Sequence, residues 1–184
     1  MMAVSTSAVG GGIREIGWVV NIGVVSGYSR TDLDDHAAEV AAECDLVGSG
    51  VALFTAADVS QACRVEHGGV VVDATVGASH PTWAADPAEA AQAWVPGTIN
   101  AVVQVPVGLE PGAAVNAVAT ATEAKAQALG ERGIPGTGTA SDAIAVVWPA
   151  RAITERFAGP RSTVGASIAQ AVYQAVWKGA GGSP

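Results

Sequence analysis

Gly97-Thr-Ile-Asn-Ala-Val-Val-Gln-Val-Pro-Val107 is followed by a small-residue stretch from Pro111 to Leu129 and then by Gly133-Ile-Pro-Gly-Thr-Gly-Thr-Ala-Ser-Asp-Ala-Ile-Ala-Val-Val147. Two apolar runs of strand length on either side of a long helix read as one packed strand–helix–strand unit. Thr98, Asn100, Thr137, Thr139, Ser141 and Asp142 sit in or beside the glycine-rich entries of those strands. Folding can therefore gather hydroxyls, an amide and a carboxylate in one place.

Working outward, Ile16, Trp18, Val20, Ile22 and Val24 alternate within Glu15 to Val25, which predicts a strand with one buried face. Thr31 or Asp32 is the expected cap of a helix to about Cys44, with acids in its first turn. Val51 to Thr55 and Gly69 to Gly77 read as further strands, with a helical turn from Asp58 between them. Ala78 to Val95 is a long connection carrying His80, Trp83 and Trp94, and a large aromatic there either covers a ligand or plugs the core edge. On the central helix Asn116, Thr120, Glu123 and Gln127 form a polar stripe, which ordinarily is a solvated face. Arg151 to Gly159 reads as a short helix or turn. A last helix ends near Trp177, with Val164, Ile168, Val172 and Val176 as its core stripe.

These elements predict an α/β (α+β) fold: a single-domain layered sandwich with a mixed β-sheet core packed by helices. The domain is expected over residues 1–178, with 179–184 as a flexible tail. Hydrophobic residues make up 49% of the chain and charged residues only 14%, so a large core and not disorder is expected. The net charge of −8 is concentrated in residues 1–95, where twelve acids face three bases. Without a basic patch, nucleic acid is not an expected partner. The apolar runs are too short for a membrane helix, and insertion is not expected. Cys44 and Cys63 lack metal-site or signal-peptide context, consistent with reduced thiols in a cytoplasm. His36, His67 and His80 show no ligand spacing, so no metal is assigned.

The phosphate-loop, esterase-elbow and zinc-protease motifs are all missing. Gly136-Thr-Gly-Thr-Ala-Ser-Asp142 remains the best chemical candidate. Its glycines allow close backbone approach, its hydroxyls donate or accept, and Asp142 suits a general base. A plain turn whose side chains bond their own backbone fits the same composition. Asn100 divides likewise between internal satisfaction and an oxyanion donor.

Eight segments then occur in order: Ser5-Thr-Ser-Ala-Val-Gly-Gly-Gly12, Val20-Asn-Ile-Gly-Val24, Leu53-Phe-Thr-Ala-Ala-Asp-Val59, Ala74-Thr-Val-Gly77, Gly97-Thr-Ile-Asn100, Ala119-Thr-Ala-Thr-Glu-Ala-Lys125, Gly136 to Val146, and Gly159-Pro-Arg-Ser-Thr-Val-Gly165. Together they resemble the adenosylcobinamide amidohydrolase family. That resemblance implies hydrolysis of the amide joining the corrin propionate to aminopropanol, giving adenosylcobyric acid for cobalamin (vitamin B12) salvage. The cobalt corrinoid is then a substrate and no further cofactor is implied; a homo-oligomer is compatible with the reading. Where the family pattern leads one to expect Asn after the Thr-Val-Gly strand, this chain has Ala-Ser-His80-Pro. A fainter similarity to self-cleaving aminopeptidases also points to a sandwich fold.

On this resemblance Asp142 or Glu123 is the expected acid/base, Thr139 or Ser141 the nucleophile or relay, Asn100 the oxyanion donor and His80 the reserve base. Thr55, Asp58, Trp83, Trp94, Thr98, Thr137 and Gly138 are the expected substrate-binding residues. The alternative is a non-catalytic corrinoid-binding module that sequesters or delivers cobinamide.

Overall fold

The computed structural model describes residues 1–87, 97–150 and 154–181. Its main sheet has six strands: β1 (Met2–Ser5), β2 (Gly12–Glu15), β5 (Cys63–His67), β6 (Val70–Gly77), β7 (Thr98–Gln104) and β9 (Ala143–Trp148). Their order is β2-β1-β9-β7-β6-β5. β7 and β9 are adjacent and parallel, joined through α2 (Pro111–Glu131), so the strand–helix–strand unit read from 97–147 is present. The other contacts within the sheet are antiparallel.

A second βαβ unit lies over this sheet. β3 (Trp18–Gly23) pairs in parallel with β4 (Gly50–Thr55), and α1 (Leu33–Glu43) connects them. On the outer face of the main sheet, Val72, Ile99, Val103, Ile144 and Val146 meet α2 and α3 (Thr163–Gly179). On its inner face Ala3, Ala145 and Val147 meet Val51 and Leu53 of β4. Ile22 and Ala52 turn the other way, onto Ala37 of α1. The result is four layers: helices, six-strand sheet, two-strand sheet, helix.

Several expectations are corrected. Glu15 to Val25 is not one strand with one buried face. The chain leaves the main sheet after β2, crosses at Ile16-Gly17, and enters the small sheet, whose two faces are both covered. A strand before Gly69 was not expected; Cys63–His67 forms a hairpin with β6. Its two turn residues, Gly68 and Gly69, both have positive φ (56° and 79°), as a two-residue hairpin turn requires. Thr154–Glu155, within the stretch expected as helix or turn, is a two-residue strand (β10) parallel to β8 (Gly108–Leu109). α3 runs to Gly179, past the expected end, and its core stripe Val164, Ile168, Val172 and Val176 is buried as predicted.

Topology sets the place of the site. β7 and β9 begin where antiparallel β6 and β1 end: Gly77 lies opposite Thr98, and Ser5 opposite Ala145. The end of β4 is drawn to the same edge, because the Asn100 side chain donates to Phe54 O (3.0 Å).

Candidate active site at the converging strand ends

The 133–142 turn closes over the start of β7 through one carboxylate. Asp142 Oδ1 accepts from Ile99 N (2.8 Å) and from the Thr139 hydroxyl, while Oδ2 accepts from Thr139 N (3.1 Å) and Lys125 Nζ. Lys125 comes up from α2, and its side chain is only 9% exposed against 11% for Asp142. Gly138 lies against this ion pair so closely that a Cβ would collide with both charged groups. A carboxylate has about four acceptor sites; Asp142 receives Ile99 N, Thr139 N and Lys125 Nζ, with the Thr139 hydroxyl shared between it and Gly97 O.

Beside it lies a hydroxyl pair. Thr98 Oγ1 and Ser141 Oγ are 2.7 Å apart, and Ser141 also donates to Gly97 O (3.1 Å). Thr139 Oγ1 reaches both Gly97 O and Asp142 Oδ1 with its single proton. Thr98 is buried and Ser141 exposed, so the pair leads from the interior to solvent. Farther along the turn, Thr137 N donates to Thr82 O and Thr82 N to Gly138 O (both 2.9 Å), and the Thr137 hydroxyl accepts from Ala84 N (3.0 Å). A Cβ on Gly136 would stand 2.7 Å from Thr82 O, which accounts for that glycine.

Two clefts meet at Thr98. One, of about 470 Å³, is lined by Asp58, Gln61, Ser79, His80 and Gly97; the other, of about 450 Å³, by Tyr28, Phe54, Thr55, Ser141 and Asp142. Both also share Ser26 and Ala56. His80 is exposed in the first. Asp58 there caps a short 3-10 turn, accepting from Ser60 N (2.9 Å), and hydrogen bonding from Ser60 holds its carboxyl below the usual aspartate range.

The family model described as adenosylcobinamide amidohydrolase matches residues 1–182 of this sequence. The chain belongs to that family. No curated protein and no solved structure matches it.

Of the residues expected to serve an amidohydrolase, the fold brings together Thr98, Thr137, Gly138, Thr139, Ser141 and Asp142, with Thr55, Asp58 and His80 along the adjoining walls. It does not bring Glu123 there. Glu123 is exposed on α2, two residues and hence about 200° around the helix from Lys125. Thr120 of the same stripe is buried and donates to Ala158 O (2.8 Å), so the stripe is not a uniformly solvated face. Trp83 is 52% exposed on the segment bonded to the turn and lines neither cleft. Trp94 lies outside the described residues.

Asn100 is 1% exposed, and its amide donates to both Asn21 Oδ1 (2.8 Å) and Phe54 O (3.0 Å). Both N–H groups are committed, so it has no donor for an oxyanion. Its Oδ1 is buried without a partner. Asn21 continues the chain to Thr75 Oγ1 (3.0 Å), tying the small sheet to the large one.

Lys125 and Asn21 were missed by sequence reasoning, although both lie in segments that carry the family likeness. Lys125 follows Ala117 and Ala121 at four-residue steps, which places it on the buried face of the helix. That phase was the available signal. Among the described residues no cluster of three or more His, Cys, Asp or Glu is placed to hold a metal, and no helix is long and apolar enough to cross a membrane.

Proposed function

We propose that this chain hydrolyses the amide between the corrin propionate and aminopropanol of adenosylcobinamide, giving adenosylcobyric acid. The observation that carries this reading is the family match across 1–182. Two adjoining clefts with a hydroxyl pair where they meet support it, since a large macrocycle needs a broad concave surface with a few fixed polar groups.

Hydrolysis adds water to the amide carbon, passes through a tetrahedral oxyanion, and breaks the C–N bond as the amine gains a proton. In the proposed arrangement the Ser141 hydroxyl turns its proton from Gly97 O to the amide oxygen, while Thr98 donates to Ser141. His80, exposed in the adjoining cleft, takes the proton from water and returns it to the leaving aminopropanol. His80 thus replaces Asp142 as base, and Asp142 with Lys125 keeps Thr139, Ser141 and the start of β7 in register. Ser141, backed by Thr98, replaces Asn100 as oxyanion donor.

The test is to incubate the purified protein with adenosylcobinamide and follow both products by mass spectrometry. Adenosylcobyric acid and aminopropanol are expected in equal amounts. His80→Ala is expected to lower kcat by about 10²-fold or more, in the range of a lost general base; unchanged turnover would remove His80 from the mechanism. Tight binding of intact corrinoid without turnover by the unmodified protein favours the sequestering module instead.

A further inference from the structure

We infer that the cleft walled by Tyr28 and Phe54 is a purine-nucleoside subsite, so that the substrate straddles Thr98 with its nucleoside on Tyr28 and its amide arm beside His80. This rests on the corrinoid reading above for the identity of the ligand, but the subsite itself is argued from its own walls.

The two clefts differ in character. The His80 cleft is edged by Asp58, Gln61 and Ser79, whereas Val24, Val25 and Leu33 join the two aromatic rings in the other. Tyr28 is stacked on Phe54 with centroids 6.1 Å apart and planes at 21°. His36 braces both rings, its centroid 5.5 Å from each, and its Nδ1 hydrogen-bonds the Tyr28 hydroxyl at 2.7 Å. A ring fixed in this way loses little freedom on binding and offers a flat apolar surface suited to a heterocycle. Thr6 also lines the cleft, and its hydroxyl, which accepts from Ile144 N, keeps its proton for a sugar or base edge. Its volume of about 450 Å³ falls within the range of small-ligand sites.

Charge selects a nucleoside over a nucleotide. Arg30 lines the cleft, but its guanidinium is bound by Asp32 (2.7 Å) and Glu39 (2.6 Å). Lys125, behind Asp142, is likewise neutralised. Among the described residues the cleft therefore offers no unpaired cation to a phosphate, and Asp142 is itself anionic in its ion pair.

Calorimetry with 5′-deoxyadenosine and with adenosine monophosphate on the full chain tests the subsite without requiring catalysis. The nucleoside is expected to bind and the monophosphate to bind at least several-fold more weakly. Base–aromatic stacking supports a loss of about tenfold in affinity for Tyr28→Ala, while Tyr28→Phe, which keeps the ring, retains binding and controls for folding. Tyr28→Ala should also lower kcat/KM for adenosylcobinamide about tenfold more than for cyanocobinamide. Absence of nucleoside binding to the unmodified protein overturns the inference, as does an equal effect of Tyr28→Ala on both corrinoids. Nucleoside binding with no hydrolysis of any corrinoid would sink the proposed function and leave the subsite standing.

Discussion

Replacing Asp142 by Asn separates its two roles. Loss of the carboxylate leaves Lys125 buried without its counter-charge, and breaking a buried pair from one side costs about 3–5 kcal/mol. Urea unfolding should show Asp142→Asn strongly destabilised, with part of the loss recovered when Lys125→Met is added. An inactive Asp142→Asn protein that unfolds at the normal midpoint would restore Asp142 as the chemical base. At this scale the sequence carried the cluster itself: Thr98, Thr139, Ser141 and Asp142 stood out as polar groups at the mouths of apolar strands. Their division of labour was not legible. Whether a carboxylate is free depends on what points at it, and the decisive donor, Lys125, reaches it from seventeen residues earlier in sequence.

Between elements, Asn100 acts as a tie. Asn100→Ala removes donors from both Asn21 Oδ1 and Phe54 O, and leaving buried acceptors unpaired costs about 1–3 kcal/mol per group. The Phe54 end of β4 should then loosen from β7, read as a lower melting temperature with faster exchange of amides at Phe54 and Thr55. Unaltered stability would show that the orphaned Oδ1 of Asn100 already cancels the benefit. The entry to α1 is governed differently. Asp32 occupies the expected cap position, yet its side chain makes no cap hydrogen bond and instead holds Arg30. Hydrogen bonding to Arg30 lowers the Asp32 carboxyl to about 2. Its folded value lies below its unfolded one, so the stability it adds is present above pH of about 3.9 and is lost only as pH falls through about 2. Carbon-detected NMR should find that midpoint; titration near the ordinary aspartate value would show the Arg30 clamp absent in solution. Because the pair is exposed, it adds little at neutral pH.

Over the whole molecule, the layer order explains what sequence periodicity conveyed and what it concealed. Strict alternation in 16–24 signals one buried face, but Val19 and Asn21, on the other face of β3, are also covered. A small polar residue facing a second sheet looks solvent-facing in sequence; only the partner Asn100 reveals it as interior. The same layering predicts how the molecule opens. Only Ala37 and Ala41 of α1 are buried, whereas α2 and α3 lie together against five strands of the main sheet, β1, β5, β6, β7 and β9. An outer layer with so little buried apolar surface belongs to the low-stability end of the structure. Hydrogen exchange should therefore show Leu33–Glu43 opening well before β9, without global unfolding. His36 of that helix braces Tyr28 and Phe54, so a nucleoside seated on Tyr28 should slow exchange in α1 while leaving α3 unaffected. Protection in α1 as high as that of β9 in the free protein would mean that the fourth layer is locked to the third, and ligand could then add nothing to it.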